Sequence, residues 1–217
     1  MPEINLLAKL PQTKRNVNAR ATAKSAEIIA VARQYGHEYF DGPRDYGYGG
    51  YRYDGRWIPV ARDIVAHFSL KPSDRILDVG CAKGFLVKDL MLACPGLEAF
   101  GLDISQYALM NCEPEVVGRL HLGTCEQLPF PDGSFGAVIS INTLHNCDRA
   151  GVIRSLKEIQ RLSGGRAYVQ VDSYHDEEQR KQFLDWVLTA KFHDYPAKWQ
   201  AVFAEAGYTG DFSWTLV

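Results

Sequence analysis

The sequence predicts an α/β fold in which helices cover both faces of a mostly parallel sheet. The apolar run 75–79 is typical of a short strand, the chain then breaks at 80–84, and an amphipathic helical pattern follows over 85–92. Asp78 stands near the end of that buried strand, where a carboxylate is costly unless a polar ligand or an exposed helix start satisfies it. Further strand and helix patterns alternate along the chain, and we expect six or seven strands in total.

Composition indicates one globular domain. Hydrophobic residues make up 46% and charged residues 23% of 217 residues, which is enough for a sizeable core. The net charge of -2 disfavours a nucleic-acid partner held by a broad basic field. Five cysteines without a C-x-x-C pair indicate reduced thiols in a cytoplasmic protein rather than disulfides or structural zinc. No apolar run is typical of a signal peptide or of a membrane span, so we expect no membrane partner.

The first 70 residues differ in composition from the rest, and we divide the chain into an N-terminal part, 1–70, and a core, 71–217. Residues 1–20 are polar and basic, and they predict a frayed or loosely docked arm. Residues 21–34 are rich in alanine and predict a helix that Gly36 ends.

Residues 39–57 combine aromatic side chains with glycine, arginine and aspartate, and they show neither a helical nor a strand period. A loop of this length is typical of a functional lid or of a disordered segment, and its aromatic content disfavours disorder. We therefore predict a lid over a ligand, with a surface loop packed on the core as the alternative. The candidates in this loop for contact with ligand or substrate are Arg44, Tyr46, Tyr48, Tyr51, Arg52, Tyr53 and Trp57.

A helix is predicted from Ile58, and after the first strand–turn–helix unit a second strand covers 97–103. Asp103 ends that strand, 25 residues after Asp78. An acidic residue at the tip of the second strand can accept hydrogen bonds from both ribose hydroxyls of an adenosine. The next helix is predicted over 106–112.

The turn at 80–84 distinguishes two classes of nucleotide-binding protein. A dinucleotide fingerprint, G-x-G-x-x-G, would need glycine where this chain has Ala82 and Phe85. The run D-x-G-C-x-x-G that starts at Asp78, taken with Asp103, instead resembles the first motif of the class I S-adenosylmethionine (SAM) dependent methyltransferases. The resemblance implies a Rossmann-like three-layer sandwich with SAM as the cofactor.

That resemblance covers roughly residues 72–175. The run L-P-F-x-D-x-S-F over 128–135 is similar to a later motif of the family, and Thr124 occupies the place of an acid that normally lies near the adenine amino group. The backbone of Cys125 or the side chain of Glu126 could substitute for that acid. The resemblance assigns cofactor contacts to Asp78, Gly80, Cys81, Ala82, Gly84, Asp103, Ile104, Thr124, Cys125, Glu126 and Asn142.

The two acids have separate roles in the family. The acid in the place of Asp78 lies near the methionine ammonium, and the acid in the place of Asp103 binds the ribose. Arg44 and Arg52 are our candidates for the methionine carboxylate, because a guanidinium pairs with a carboxylate through two hydrogen bonds.

Asn142 and His145 are the predicted catalytic residues. Strand four is predicted over 136–142, which puts both at the carboxyl end of the sheet, where ligands of open α/β folds bind. His145 is the candidate base for an acceptor that keeps a proton at neutral pH; a positioning role and a structural role stay open. Asp172 and His175, beyond strand five, are candidates for the acceptor pocket, and no third residue completes a metal site.

The remaining pattern completes the sheet. The family usually closes with an antiparallel strand pair, but a single strand fits the end of this sequence, so a seventh strand would come from 188–192. We expect Asp194 to cap the last helix and Gly207 to end it. The predicted elements are a helix over 151–162, a strand over 166–172, helices over 177–189 and 194–206, and a strand over 212–217.

We therefore expect SAM-dependent methyl transfer to oxygen or nitrogen of a small-molecule acceptor, by in-line displacement in a lidded pocket. The alternatives are a protein or peptide acceptor, a methylthio transferase or one that uses decarboxylated SAM, and a SAM-binding or nucleotide-binding regulator without turnover. The sequence lacks the N/D-P-P-Y and P-C signatures of nucleic-acid methyltransferases, so we expect no nucleic-acid partner. The basic arm and the loop over 39–57 could mediate a homodimer, and the sequence leaves this possibility open.

Overall fold

One sheet organises the computed structural model, which describes residues 2–11 and 16–215. Within these ranges its strand order is β3-β2-β1-β4-β5-β6, and every neighbouring pair is parallel. The strand order reverses between β1 and β4, and open α/β sheets bind ligands at the carboxyl ends of the strands beside such a point. The strands are β1 (Arg75–Val79), β2 (Glu98–Asp103), β3 (Leu120–Leu122), β4 (Ala137–Ile141), β5 (Ala167–Asp172) and β6 (Asp211–Thr215).

Helices flank the sheet on both faces. In the part of the chain that the structure describes, no helix has the length and apolar character needed to cross a lipid bilayer. The helices are α1 (Val17–Ala23), α2 (Ala26–Ala32), α3 (His37–Phe40), α4 (Ile58–His67), α5 (Phe85–Ala93), α6 (Gln106–Met110), α7 (Arg149–Ser163), α8 (Glu177–Trp186) and α9 (Pro196–Ala206).

Two hydrophobic layers hold the helices to the sheet. Ile76 of β1 and Ile139 of β4 pack with Ile64 of α4 on one face, where α5 also contributes. The next residue of β1, Leu77, packs on the other face with α7 and α9, whose central side chain is Trp199. Successive strand residues point to opposite faces of a sheet. Strands that are apolar on both faces therefore bind helices on both sides, and the predicted three-layer sandwich is confirmed.

The end of the sheet differs from the expected family pattern. The sheet has six strands in the described residues, and 188–192 form no strand, so that source for a seventh strand was wrong. β6 pairs parallel to β5, from Tyr168 opposite Asp211 to Asp172 opposite Thr215. Two helices, α8 and α9, lie between these strands and return the chain to the amino end of β5, which makes a parallel strand the natural outcome.

Two local predictions near helix ends were wrong. The helix expected over 21–34 is two helices, because Lys24 is extended and the Ser25 side chain accepts a hydrogen bond from the amide of Ile28, which starts α2. Asp194 does not cap α9: the helix begins after Tyr195 with Pro196 in its first turn and has no side-chain cap. Gly207 ends it in the left-handed conformation, as predicted.

The N-terminal arm is not loosely docked where it is described. The Ile4 amide donates to the Phe212 carbonyl at 2.9 Å, so the arm lies beside β6 at the edge of the sheet. Leu6 and Leu7 are buried in the same hydrophobic layer as α4. The apolar run that contains these two leucines is too short for a signal peptide. Burial of two leucine side chains is nevertheless enough to hold a short segment against the core. The basic residues at 12–15 lie outside the described ranges.

Candidate functional site

A cavity of about 280 Å³ lies at the carboxyl ends of β1, β2 and β4. The core supplies its polar wall and the N-terminal part supplies most of its aromatic wall. The predicted residues that line it are Tyr48, Tyr51, Trp57, Asp78, Gly80, Cys81, Ala82, Asp103, Ile104, Thr124, Cys125, Glu126 and Asn142.

The turn between β1 and α5 forms the floor of the cavity. Gly80, Ala82 and Gly84 all have positive φ, and Ala82 has this conformation at the position where the family usually has its second glycine. The Gly80 amide donates to the Leu102 carbonyl at 2.7 Å, which fixes the turn against β2. A Cβ at position 80 would lie 1.9 Å from the Thr143 hydroxyl oxygen, so glycine is required there by contact as well as by conformation.

Substituting Gly80 with alanine is expected to lower the free energy of unfolding by about 2 to 5 kcal/mol. The cost of a left-handed backbone for alanine and the cost of the steric clash with Thr143 are both included in this value. Gly133 is the matched control: its φ is also positive, at 62°, but no atom lies within 4 Å of the added Cβ. Gly133→Ala should therefore cost only about 1 to 2 kcal/mol. Urea denaturation of both variants measures the difference, and equal losses would contradict the packing argument.

Two buried carboxylates face each other across this turn. The Asp103 carboxylate accepts hydrogen bonds from the amides of Ala82 and Ser105, both at 2.8 Å. Burial raises the pKa of Asp103, and these hydrogen bonds act against that rise. Asp78 is only 4% exposed, and burial followed by the charge of Asp103 raises its pKa to about 7.

Asp78 lacks the donors that Asp103 has. Within the described ranges no group donates a hydrogen bond to its carboxylate, although it is buried and lines the cavity. A buried carboxylate without donors is unfavourable unless a ligand supplies them. The position therefore suits a cationic or hydrogen-bond-donating part of a ligand.

Aromatic rings close the cavity from the N-terminal side. Phe40, at the end of α3, is buried, and the segment 41–57 that follows contains no helix or strand. The ring of Tyr51 stacks on Phe85 of α5, with centroids 4.7 Å apart, and lies 4.4 Å from the ring of Tyr48. Ring pairs at these distances stabilise one another beyond their buried area, so this segment, which we name the aromatic loop, is packed on the core.

An ion pair ties the aromatic loop to the cavity floor. The Lys83 ammonium, in the floor turn, donates to the Asp41 carboxylate at 2.6 Å and to the Tyr51 carbonyl at 2.9 Å. Asp41 also accepts from the Tyr107 hydroxyl at 2.7 Å and from the Tyr51 amide at 3.1 Å. Burial alone would raise the pKa of Asp41, but the hydrogen bonds from Lys83 and Tyr107 bring it below its ordinary value.

Comparison with known proteins identifies the domain that holds this cavity. Residues 77–169 match the family model described as a methyltransferase domain. The chain contains a class I methyltransferase domain. The family predicted from the Asp78 motif and Asp103 is thus confirmed, and SAM is the methyl donor that this family implies.

Three proteins show the range of resemblance. The demethylmenaquinone methyltransferase of Symbiobacterium thermophilum is 34% identical over 122 residues, which are 52% of this chain and 48% of that protein, so the chain spans about half its length. Phosphoethanolamine N-methyltransferase 2 of Haemonchus contortus, solved with phosphomonomethylethanolamine and S-adenosylhomocysteine, has a TM-score of 0.58 at 16% identity, covering 81% of this chain and 44% of its own. The cyclase SpnF has a TM-score of 0.56 at 18% identity, covering 69% and 56%. The two solved structures establish the fold.

His145 lies behind the cavity wall of the methyltransferase domain and does not line it. Its side chain is buried, its Nδ1 accepts from the Asp172 amide at 3.1 Å, and its Nε2 lies 3.2 Å from the Asp172 carboxylate. Because Nδ1 accepts, Nε2 carries the proton of the neutral ring and lies beside the carboxylate. Burial lowers the pKa of His145, and the charge of Asp172 only partly offsets it.

Asn142 does line the cavity, at the carboxyl end of β4. Its φ is 53°, an uncommon backbone conformation for a residue other than glycine, and such strain is frequent at functional sites. Its side-chain oxygen accepts from the Thr215 hydroxyl at 2.6 Å, which ties β4 to the end of β6. The side-chain amide is therefore held at the cavity by the sheet itself.

The other predicted residues lie away from the cavity lining. The Arg44 guanidinium donates to the Gly47 carbonyl and lies over the ring of Trp186, and Arg52 is exposed. The Tyr53 hydroxyl donates to Asp89. Tyr46, Gly84, Asp172 and His175 are also outside the lining, and His175 is exposed.

Several lining residues were not predicted. Arg33 and Lys191 add two cations to the wall, and neither forms an ion pair with any residue in the described ranges. The short-range pattern contains no signal for them, because the loop after α8 brings Lys191 beside the end of α2 only in the folded chain. The remaining unpredicted side chains are Tyr35, Tyr39, Phe40, Leu86, Leu102, Ile141, Thr143, Asn146, Cys147 and Asp148. No group of three or more metal-ligating side chains occurs in residues 2–11 and 16–215.

Proposed function

We propose that this chain is a SAM-dependent methyltransferase whose acceptor is a small molecule methylated on oxygen or nitrogen. The observation that carries the proposal is the buried carboxylate of Asp78, which lines the cavity and has no donor among the described residues. A cofactor with a cationic methionine end supplies the missing partner. The ammonium of SAM would lie at Asp78, and its ribose hydroxyls at Asp103, the roles that the family motif assigns.

The adenine end of SAM would lie against the segment after β3. Ile104, Thr124 and Cys125 line the cavity there. Glu126 forms an ion pair with Arg154, so its carboxylate is less suited to an adenine contact than a backbone group of Cys125. The unpaired cations Arg33 and Lys191 replace Arg44 and Arg52 as our candidates for an anionic group of cofactor or acceptor, because only they line the cavity.

Methyl transfer from a sulfonium is an in-line displacement, so the protein contributes mainly alignment and exclusion of water. Tyr48, Tyr51 and Trp57 supply rigid apolar walls with polar tips for this purpose. Asn142, held by Thr215, would orient the acceptor. The enclosure by the aromatic loop favours a small acceptor over a protein segment.

We assign His145 a structural role beside Asp172 rather than a role as general base, because neither residue lines the cavity. His145→Ala should lower stability by about 2 to 4 kcal/mol, because it removes a buried side chain and leaves the Asp172 amide without its acceptor. Since the folded-state pKa is lowered, the contribution of His145 to stability should fall as the pH falls below the ordinary histidine value of about 6.5. Thermal denaturation of parent and variant at pH 5 and pH 8 measures this, because the stability difference between the parent and His145→Ala should be smaller at pH 5 than at pH 8.

The exposed His175 provides the control for that substitution: His175→Ala should leave stability within about 0.5 kcal/mol of the parent value. A pH–rate profile separates the roles. An acid limb that is present in the parent and disappears in His145→Ala would contradict the structural role and restore the general base.

A second candidate function is ligand binding without methyl transfer. The fold alone does not fix the reaction, since the similar structure SpnF is a cyclase. Calorimetry with SAM, followed by incubation of labelled SAM with a metabolite extract and separately with a peptide library, tests these functions. Label in a small molecule supports the proposal, label in peptides supports the alternative acceptor, and binding without transfer supports the second function. Failure of the parent chain to bind SAM would refute all three.

A further inference from the structure

Two free thiols face each other in the cavity wall. Cys125 follows β3 and Cys147 precedes α7, and their sulfur atoms are 3.5 Å apart. Both residues are half-buried and both line the cavity. Methyl transfer as proposed above uses neither thiol.

The surroundings fix one thiol and leave the other on a loop. The Cys147 amide donates to the Leu144 carbonyl at 3.0 Å, and a Cβ at Gly151, in the first turn of α7, would lie 2.9 Å from the Cys147 Cβ. Cys125 lies in a segment, 123–127, without helix or strand. Closure of a disulfide of about 2.05 Å therefore requires an approach of about 1.5 Å, which the Cys125 segment can supply.

The two thiols are chemically unequal. A hydrogen bond from Cys147 lowers the pKa of Cys125, whereas the same interaction and burial raise the pKa of Cys147. Cys125 is thus the one that reaches the thiolate form more easily, and the thiolate is the attacking species in thiol–disulfide exchange.

We propose that Cys125 and Cys147 form an oxidative modification site, in which a low-molecular-weight disulfide converts the thiol pair into an intramolecular disulfide. The Cys125 thiol loses its proton to solvent, and its sulfur attacks one sulfur of the oxidant. The oxidant's S–S bond breaks, and one thiolate leaves and is protonated. Cys147 then loses its proton and attacks Cys125 Sγ, which releases the second thiol. Two protein thiols are oxidised and one disulfide is reduced to two thiols.

Disulfide closure changes the cavity because it displaces the segment that would lie against the adenine. This consequence rests on the proposed function, whereas disulfide formation itself does not. We expect the oxidised chain to bind S-adenosylhomocysteine at least about tenfold more weakly than the reduced chain, with full recovery on reduction. The site would thereby couple cofactor occupancy to the thiol–disulfide balance of its surroundings.

The test treats the full chain with oxidised glutathione. Intact mass and disulfide mapping should show a Cys125–Cys147 linkage without bound glutathione, and Cys147→Ser should instead hold one glutathione on Cys125. Cys112→Ser is the matched control, because Cys112 is also half-buried but does not line the cavity, and it should form the linkage like the parent. Thiols that stay reduced, or a linkage through Cys112, would overturn the proposal.

Calorimetry with S-adenosylhomocysteine on the oxidised and reduced parent chain follows. Weaker binding after oxidation supports the coupling, and unchanged binding despite a mapped disulfide overturns it. A parent chain that binds no S-adenosylhomocysteine would defeat the proposed function, while the mass measurement would still decide whether the disulfide forms.

Discussion

Replacing Asp78 with asparagine is expected to stabilise the ligand-free chain and to abolish its binding of SAM. The carboxylate is buried beside Asp103 and has no donor among the described residues, which raises its pKa to about 7. Ionising it in the folded chain is therefore unfavourable, and removing the charge relieves at most about 4 kcal/mol at pH 8. Binding is lost because the amide cannot pair with the cofactor's ammonium as a carboxylate does.

The pH dependence gives a second, independent signature. From about pH 4 to pH 7 the folded chain holds a proton on Asp78 that the unfolded chain has lost, so the contribution of Asp78 to stability falls as the pH rises through this range. In Asp78→Asn this decline should be absent. A bound ammonium favours the ionised carboxylate, so SAM affinity of the parent should rise between pH 5 and pH 7 as the proton is released.

Urea denaturation at pH 5 and pH 8, with calorimetry over the same range, measures both effects. Asp45→Asn is the control, because Asp45 is exposed and its side chain forms no hydrogen bond within the described residues, so its stability should stay within about 0.5 kcal/mol of the parent. An Asp78→Asn variant that binds SAM as tightly as the parent would refute the assigned role of this acid.

Lys83→Met is expected to release the aromatic loop from the cavity floor. Lys83 is only 7% exposed, and its ammonium donates to the Asp41 carboxylate and to the Tyr51 carbonyl. Its loss should lower the free energy of unfolding by about 2 to 3 kcal/mol, because hydrogen bonds of charged groups in partly buried sites have this magnitude. SAM affinity should fall with it, since Tyr48 and Tyr51 line the cavity.

Hydrogen exchange locates the effect in the chain. The amides of Tyr48 and Gly50 donate to the carbonyls of Tyr39 and Phe40, so both should be protected in the parent and should exchange faster in Lys83→Met. In the parent, S-adenosylhomocysteine should slow the exchange of these amides further if the aromatic loop acts as a lid. Equal exchange with and without this ligand would leave the loop as a fixed wall.

Arg56→Met is the matched control for Lys83→Met. Arg56 pairs with Asp54 inside the same aromatic loop, but both side chains are nearly half exposed, so the pair should contribute less than about 1 kcal/mol. A double-mutant cycle of Asp41→Asn and Lys83→Met isolates the tie between loop and floor. Equal losses in Lys83→Met and Arg56→Met would contradict the importance of that tie.

The sequence was sufficient to predict the features that short-range patterns encode. The strand that carries Asp78, the glycine turn and the strand that ends in Asp103 each have local signals, and their spacing indicated the family. The sequence also predicted that Gly80 and Asn142 line the cavity, because each follows a strand and parallel strands bring their carboxyl ends to one edge of the sheet.

Features that depend on long-range packing could not be read in this way. Lys83 lies inside the recognised motif, yet its partner Asp41 belongs to a loop whose course has no periodic signal. His145 has the residue type of a base, but its burial behind the wall depends on the chain after β5. The break of the first predicted helix at Ser25 had a local signal, a capping serine, that the surrounding alanines obscured.

The contact between Ile4 and Phe212 has a consequence for biosynthesis. It joins segments at nearly opposite ends of the described chain, so during translation the backbone of the N-terminal segment has no strand to pair with until the one around Phe212 has left the ribosome. Leu6 and Leu7 pack in the layer of α4, α5 and β1, which are made earlier, so their side chains can be covered before this pairing forms, and closing so long a loop adds an entropic barrier to it. Pairing at this edge of the sheet is therefore a late step of folding, and until it forms the unpaired strand edge is open to aggregation.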